Sequence, residues 1–329
     1  CALPILPADY NGKNYKIYNY AFCSRNNLEN VVISDKVTEI GESAFSDCIG
    51  LTAVTIGKSV TRINESAFYG CSSLKDVVIP DVVKSIGGYV FKNCSSLTSV
   101  TLGNGLTSIG YKAFYGCSSL TSVTLGSGVT RIGSGAFEKC TSITNLHYRG
   151  TIDQWVQIDF VDYRSNPLSY AGDLYINNEL VTKANITTAT KINYTAFQNC
   201  RSLVLVTIGD SVTSIGESAF GNCKNLTSVT IGNGVKSIGK YAFESCVSLI
   251  NLTIGNSVTG IGDYAFNGCG GLTILTLPDT VLNIGRYAFY KCTGLISGTI
   301  PADIRQIKDY FFSGCYKIVE VINKNNLKN

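Results

Sequence analysis

The chain has 329 residues and a net charge of only +4, from 27 lysines and arginines against 23 aspartates and glutamates. With 45% hydrophobic and 15% charged residues, it is too apolar for intrinsic disorder and too weakly charged for a nucleic-acid-binding surface. A single histidine argues against most histidine-based catalysis and metal binding, and no run approaches the roughly 20 apolar residues of a transmembrane helix.

Residues 1–22 are a degenerate copy of the repeat that fills the rest of the chain. Its apolar positions are kept at Ile5, Tyr10, Ile17, Ala21 and Phe22. Because a terminal repeat lacks a neighbour on one side, we expect this segment to cap the stack. Cys1 leaves two interpretations open: lipid attachment, as at the first residue of mature bacterial lipoproteins, and a simple chain boundary.

Residues 23–140 repeat one pattern every 23 residues. In a clean copy, Leu120–Leu125 alternates as a strand with one buried face, and Gly126–Gly128 predicts a turn because glycine tolerates positive φ. Ile132 lies on a second apolar ridge, and Gly133–Cys140 predicts a short helical turn. One unit cannot bury its own apolar face, so the pattern predicts a solenoid with one parallel β-sheet face and short helical or extended segments on the other.

Cysteine and phenylalanine form two columns with this period. The cysteine column consists of Cys48, Cys71, Cys94, Cys117, Cys140, Cys200, Cys223, Cys246, Cys269, Cys292 and Cys315, each three residues after a phenylalanine. Such a column is compatible with disulfides, but the lack of Cys-x-x-Cys pairs argues against zinc. We interpret it as a stack of small buried thiols beside the phenylalanines. Cys1 and Cys23 lie off the column and are better candidates for thiol chemistry.

Residues 141–186 form a modified repeat with a lateral insert. Asn177-Asn178 predicts the two-residue turn of a β-hairpin because asparagine tolerates the left-handed conformation. Trp155 is expected to pack the insert against the solenoid, with an exposed binding aromatic as the alternative. His147 projects from the strand before the insert and is a candidate binding residue, whereas an isolated histidine does not predict catalysis.

Residues 187–323 form a second regular block, and 324–329 form a polar tail. Two residues before the repeat phenylalanine, four consecutive units carry a tyrosine. This tyrosine column comprises Tyr241, Tyr264, Tyr287 and Tyr310. If the side chains face water, they form a binding stripe, because tyrosine supplies large contact area at low entropic cost. The alternative is that they are half-buried spacers over the Ile-Gly turns.

The outward positions of the predicted strands are rich in serine and threonine. The candidate binding residues among them are Ser99, Thr101, Ser122, Thr124, Ser228 and Thr230. Threonine also suits any solvent-facing strand, so the pattern alone does not distinguish a binding surface from ordinary sheet composition.

The unit L-x-x-V-x-I-G-x-x-V-x-x-I-G-x-x-A-F-x-x-C resembles the leucine-rich-repeat superfamily, and specifically its BspA-like bacterial surface type. The insert, LHYRGTIDQW followed by LYINNELV, also resembles one found in that family. Glycine mostly replaces the family's proline, and the asparagine ladder of ordinary leucine-rich repeats is absent. The resemblance implies one solenoid over 1–329 and a secreted or surface-anchored, non-enzymatic protein that binds matrix proteins, other cells or glycans.

We therefore expect a cell-surface or secreted adhesion or recognition scaffold that binds an extracellular protein through an extended surface, without cofactor, metal or catalytic residues. The alternative is a glycan-binding module of a carbohydrate-capture system that uses the tyrosine column and the insert around Trp155. An intracellular scaffold comes third, because unpaired thiols suit a reducing compartment. An enzyme comes last.

Overall fold

The computed structural model describes residues 12–323 and divides the chain into two compact units. Unit 1 comprises Cys1–Thr151 and Ile158–Glu179, and unit 2 comprises Ile152–Gln157 and Leu180–Asn329. Within each unit, strands one repeat apart pair in parallel. Each unit is therefore a repeat solenoid of the predicted class, while the predicted boundaries of a single domain over 1–329 stay a prediction.

In unit 1 the longer strands form one sheet, here called the front sheet. Its strands are Asn30–Val32, Ala53–Thr55, Asp76–Ile79, Ser99–Leu102, Ser122–Leu125, Asn145–Tyr148, Leu174–Ile176 and Glu179–Leu180. Ser122 pairs with Ser99 on one side and Asn145 on the other, so neighbouring strands keep the 23-residue register. Successive side chains alternate between core and surface because the strand period is two.

The second sheet of unit 1, the back sheet, consists mostly of two-residue strands. These strands are Tyr15–Ile17, Val37–Ile40, Arg62–Ile63, Ser85–Ile86, Ser108–Ile109, Arg131–Ile132 and Asp159–Phe160. The isoleucine that ends each of the central strands is buried, so the predicted second apolar ridge is a short parallel sheet.

Unit 2 repeats this arrangement. Its front strands are Lys183–Ile186, Leu205–Ile208, Ser228–Ile231 and Asn251–Thr253 in one sheet and Ile274–Thr276, Ser297–Ile300 and Glu320–Asn323 in another. Its back strands are Ser214–Ile215, Ser237–Ile238, Gly260–Ile261, Asn283–Ile284 and Gln306–Ile307. The last front strand, Glu320–Asn323, pairs in parallel with Ser297–Ile300.

The core of each unit contains a stack of phenylalanine rings. Consecutive rings from Phe22 to Phe137, and from Phe197 to Phe289, lie 5.0–5.5 Å apart between centroids and are nearly parallel. The stack breaks at Phe312, whose ring lies 6.3 Å from that of Phe289 and is tilted by 52°. There Phe311 occupies the place of the usual alanine, and it is the buried residue of the pair.

The segment between back strand and phenylalanine is not helical, so the prediction for Gly133–Cys140 is wrong. It consists of turns in which Gly135 and Lys139 have φ of 62° and 64°. Two left-handed residues within one span prevent a continuous right-handed turn. Among residues 12–323, α-helix is restricted to α1 (Ile152–Trp155) and α2 (Leu168–Ala171).

The glycines after the front strands are required by close packing rather than by positive φ. A β-carbon on Gly126 would lie 2.3 Å from the carbonyl oxygen of Gly103, one repeat earlier. A β-carbon on Gly128 would lie 2.1 Å from the carbonyl oxygen of Asn104. Neither glycine has positive φ. The turn prediction is confirmed, but its physical reason is the spacing between adjacent repeats.

The insert contains the predicted hairpin and a short helix, α1, which is held by hydrogen bonds that the sequence did not predict. Asn177 and Asn178 have φ of 51° and 68°, as the predicted two-residue turn requires. In unit 2, the carboxylate of Asp153 on α1 accepts hydrogen bonds from the backbone N–H groups of Thr187, Thr188 and Ala189 at 2.8–2.9 Å. Desolvation alone would raise the pKa of Asp153, but these hydrogen bonds outweigh it and lower the pKa.

Candidate ligand-binding surfaces

The tyrosine column lies at a backbone position that disfavours tyrosine. Tyr241, Tyr264, Tyr287 and Tyr310 have φ between 56° and 61°, in the left-handed region that bulky residues rarely adopt. At the same position the other repeats carry residues of several kinds, namely Tyr20, Ser43, Ser66, Tyr89, Lys112, Gly135, Thr195 and Ser218. The turn itself therefore does not require an aromatic residue.

The four rings stack on one another. Centroids are 5.0 Å apart for Tyr241 and Tyr264, 4.8 Å for Tyr264 and Tyr287, and 4.7 Å for Tyr287 and Tyr310. The first three side chains are half-buried and Tyr310 is 58% exposed. The structure thus combines the two predicted alternatives: the rings cover each other, and the column still reaches the surface.

Charged residues of both signs surround the tyrosine column, which the sequence analysis did not anticipate. An open depression of about 650 Å³ is lined by Lys240, Tyr241, Asp263, Tyr264, Arg286, Gln306, Ile307, Lys308 and Asp309. Arg286 pairs with Asp309 at 3.5 Å, and Lys308 pairs with Asp263 at 4.0 Å. These side chains are largely exposed, so the pairs contribute little to stability and are available to a partner's charges.

The candidate hydroxyls of the front sheets face outward as predicted. In Ser99–Leu102, Ser122–Leu125 and Ser228–Ile231 the intervening Val and Leu or Ile side chains are buried. Ser99 Oγ donates to Asp76 Oδ1 at 2.7 Å. Outward orientation is thus confirmed for Ser99, Thr101, Ser122, Thr124, Ser228 and Thr230, and their binding role stays a prediction.

His147 lies in a cleft formed by the insert hairpin and the front sheet of unit 1. Its ring stacks on Tyr175, with centroids 4.9 Å apart and planes 20° from parallel. The open space is about 490 Å³. Sequence reasoning singled out His147 but missed Tyr175, Arg149 and the two asparagines as its neighbours, because the hairpin's register with the strand before the insert is not visible in the sequence.

Trp155 is completely buried, so it offers no surface to a ligand. Its indole Nε1 donates to the carbonyl oxygen of Ala196 at 2.8 Å within unit 2. The packing interpretation is confirmed, and the candidate binding role of Trp155 is wrong. An indole at 0% exposure with its donor used internally is an anchor for α1.

The cysteine column has a definite structural role. Each column cysteine except Cys200 donates its S–H to the carbonyl oxygen of a phenylalanine one repeat earlier, at 3.0–3.3 Å. Cys200 contacts Ser202 Oγ at 3.5 Å. Burial raises the pKa of Cys94 to about 12. Among residues 12–323, Cys23 and the column cysteines form no disulfide, and the burial of the column confirms the predicted stack. Cys1 lies outside the described residues.

Unit 1 holds a lysine–tyrosine cluster that the sequence analysis missed. Lys92 Nζ lies 5.0 Å from the ring centroid of Tyr89 and 5.5 Å from that of Tyr115. Lys112 and Lys139 lie 5.1 and 5.0 Å from Tyr115. These distances allow cation–π attraction. Tyrosine and lysine alternate at the 23-residue period here, a signal that aligning every column of the repeat would have shown.

Residues 12–323 contain neither a candidate membrane span nor a cluster of metal ligands. No helix in this range has the length and apolarity to cross a bilayer. Within the same range, no three His, Cys, Asp or Glu side chains come together as a group that would hold a metal ion.

Comparison with known proteins agrees with the repeat geometry. The profile of the BspA type leucine rich repeat region matches six copies, over residues 15–155 and 190–319. A leucine-rich repeat protein from Bacteroides ovatus is 26% identical, with a TM-score of 0.64, and the match covers 93% of this chain and 81% of that one.

Two further solved structures are similar to this chain. A leucine-rich repeat protein from Eubacterium ventriosum is 22% identical with a TM-score of 0.55, covering 88% of this chain and 83% of that one. The T. pallidum leucine rich repeat protein is 32% identical with a TM-score of 0.42, covering 43% and 69%. A comparison with curated protein sequences finds no match. The profile match spans most of the repeats described above, and the chain belongs to the BspA-type leucine-rich-repeat family.

Proposed function

We propose that the protein is a non-enzymatic recognition scaffold, extracellular or at a bacterial cell surface, that binds a protein partner through the tyrosine column of unit 2. Membership of the BspA-type family supports the scaffold role. The resemblance of the repeat to BspA-like bacterial surface proteins supports an extracellular or cell-surface location and a role in adhesion.

One observation carries the proposal: four consecutive tyrosines occupy left-handed positions where the fold accepts serine or glycine. A left-handed conformation costs a non-glycine residue about 1–2 kcal/mol, and stacked aromatic pairs recover about 0.5–1.5 kcal/mol each. Serine pays the same backbone cost at this position in Ser43, Ser66 and Ser218, so the turn forms without a ring. Because the left-handed turn does not select tyrosine, the run of four surface tyrosines favours a recognition role, for which tyrosine is the enriched residue type.

The surroundings of the tyrosine column suit a protein surface. Four consecutive repeats extend about 14 Å along the stack at a strand spacing of about 4.8 Å. This extent fits the central hot spot of an interface, where tyrosine and arginine are enriched, rather than a whole interface. Arg286 and Lys308 lie beside Asp263 and Asp309, so a partner with both charge signs can exchange the weak exposed ion pairs for its own.

The experiment is a binding screen of the purified chain against immobilised collagen, laminin and fibronectin. The test variant changes Tyr241, Tyr264, Tyr287 and Tyr310 to serine, the residue that Ser43, Ser66 and Ser218 supply at the same turn position. Its matched control is Tyr316→Ser, which removes a tyrosine that is 86% exposed outside the column.

We expect saturable binding of at least one of these proteins by the wild type and by Tyr316→Ser, and a loss of at least tenfold in affinity for the quadruple variant. If the quadruple variant bound with the same affinity as the wild type, the tyrosine column would not be part of the interface. Absence of binding to all three would count against the matrix-protein form of the proposal.

A second candidate function is glycan binding. Burial of Trp155 removes one of the aromatics that suggested it. The cleft beside His147 and Tyr175 replaces it, since a small concave site with an aromatic wall and many polar groups suits a sugar better than an extended protein surface.

A further inference from the structure

The insert hairpin of unit 1 encloses a polar cleft against the front sheet. The cleft is lined by Ser122, Thr124, His147, Tyr148, Arg149, Asn177 and Asn178. Parallel pairing places Thr124, His147 and Tyr175 side by side on three adjacent strands. The lining therefore belongs to rigid sheet positions and to the hairpin turn.

The hairpin turn has a fixed conformation. Asn177 and Asn178 are both left-handed, and the backbone N–H of Asn177 donates to the carbonyl oxygen of Tyr148 at 3.2 Å. The two side-chain amides are exposed at the rim of the cleft. Such preorganisation lowers the entropy lost when a ligand binds.

Several polar groups of the cleft have no partner within the part of the chain that the structure describes. Ser122 Oγ, Thr124 Oγ1 and the imidazole of His147 make no hydrogen bond there, whereas comparable hydroxyls elsewhere, such as Thr121 Oγ1, donate to the neighbouring repeat at 3.1 Å. The side-chain amides of Asn177 and Asn178 are equally unused. Convergent unused donors and acceptors are what a polyhydroxylated ligand requires.

The charge of the cleft is positive. Arg149 forms no ion pair with any residue of 12–323, and neither Asp nor Glu lines the cleft. A guanidinium presents a planar pair of donors that matches a carboxylate in bidentate geometry. The imidazole of His147 lines the cleft beside it, and the ring of Tyr175 stacks on the imidazole.

We propose that this cleft binds a carboxylated monosaccharide unit of the uronate type. Arg149 receives the carboxylate, and the amides of Asn177 and Asn178 and the hydroxyls of Ser122 and Thr124 bind the sugar hydroxyls. The imidazole of His147, supported from behind by Tyr175, packs on the apolar face of the sugar ring. This assignment rests on the glycan-binding alternative above and is independent of the tyrosine column.

A peptide is the less suitable occupant. Peptide recognition relies on apolar pockets for side chains or on pairing with a free strand edge, and the lining here consists mainly of hydroxyl, amide and guanidinium groups. A site of this composition discriminates through hydrogen bonds and charge, as sugars and their acids require.

The test is a calorimetric or NMR titration of the whole chain with methyl β-D-glucuronide and with methyl β-D-glucoside, which differ only in the carboxylate. Arg149→Gln removes the charge and leaves a shorter polar amide, and Arg201→Gln, at an exposed arginine of unit 2, is the matched control. Sodium phosphate serves as a third probe, to identify an unspecific anion site. Unchanged thermal unfolding of both variants confirms that they are folded.

We expect saturable glucuronide binding, at least about tenfold tighter than glucoside binding, which corresponds to about 1.4 kcal/mol. Arg149→Gln should reduce glucuronide affinity to the glucoside level, and Arg201→Gln should leave it unchanged. Equal affinity for both sugars, or no effect of Arg149→Gln, would overturn the carboxylate assignment while keeping glycan binding. Phosphate binding as tight as glucuronide binding would also overturn the carboxylate assignment. No binding of either sugar would overturn both the carboxylate assignment and glycan binding at this cleft.

Discussion

Tyr287 and Tyr310 stack with ring centroids 4.7 Å apart and planes 4° from parallel, although both residues have positive φ. Two opposing contributions meet at this pair, namely the strain of a left-handed backbone and the attraction between offset aromatic rings. The backbone strain at these tyrosines should therefore be measurable in the stability of substituted chains.

At Tyr264, glycine should be a better replacement than alanine. Both substitutions remove the same ring contacts, but only glycine adopts a φ of 57° without strain. We expect Tyr264→Gly to be more stable than Tyr264→Ala by about 1 kcal/mol in urea unfolding. Equal stability, or an advantage for alanine, would show that this position is not left-handed in solution.

Thiol reactivity should divide the cysteines into two classes. Cys23 is partly exposed, while the column cysteines are buried and donate to phenylalanine carbonyls. Burial raises the pKa of Cys71 and Cys117, so little reactive thiolate forms. We expect iodoacetamide to modify Cys23 in the folded chain and the column cysteines from Cys48 to Cys292 only after unfolding, as read by peptide mass spectrometry. Rapid modification of Cys94 or Cys117 under native conditions would contradict this structure.

Acid should weaken unit 1 through Asp162. Desolvation alone would raise the pKa of this carboxyl, but hydrogen bonds from Ser134, Gly135, Ser165 and Arg164 lower it to about 2. Because the folded pKa lies below the unfolded one, the stabilisation is present above about pH 4 and is lost as pH falls through about 2.

The expected contribution of Asp162 is about 2 kcal/mol. Urea unfolding at several pH values between about 5 and 2 should show this loss in the wild type and a smaller loss in Asp162→Asn. Identical pH profiles for the two proteins would mean that Asp162 is not the group responsible.

The fluorescence of the single tryptophan should report a buried, hydrogen-bonded indole. Trp155 is 0% exposed and donates to Ala196. We expect blue-shifted emission with little iodide quenching in the folded chain. Trp155→Phe should lose about 1–3 kcal/mol of stability, because the Ala196 carbonyl loses its partner. Red-shifted, readily quenched emission would place the side chain in water.

Much of the fold follows from the 23-residue period. Strand positions, buried valines and isoleucines, the cysteine and phenylalanine columns and the Asn177-Asn178 turn were all predicted, because each depends on local alternation or on strict repetition. The period does not reveal the sign of the backbone angle φ. The segment with left-handed residues at Gly135 and Lys139 was therefore wrongly predicted to be a helical turn.

The candidate sites were less predictable because they depend on contacts between different segments. The insert contacts of Trp155 and Asp153 join positions 34 to 41 residues apart without a repeating pattern. Likewise, Tyr175 meets His147 only through the hairpin's register with its neighbouring strand. The charges around Tyr241 were visible in the sequence, but their convergence was not.

The most direct test of the tyrosine column as an interface is a lysine acetylation footprint of the chain, free and bound to the partner found in the screen. Lys240 lies 4.8 Å above the Tyr241 ring and Lys308 lines the same depression, whereas Lys183 is exposed on a front strand. We expect at least fivefold slower acetylation of Lys240 and Lys308 in the complex, with Lys183 unchanged. Protection of Lys183 without protection of Lys240 and Lys308 would place the partner on the front sheet and not on the tyrosine column.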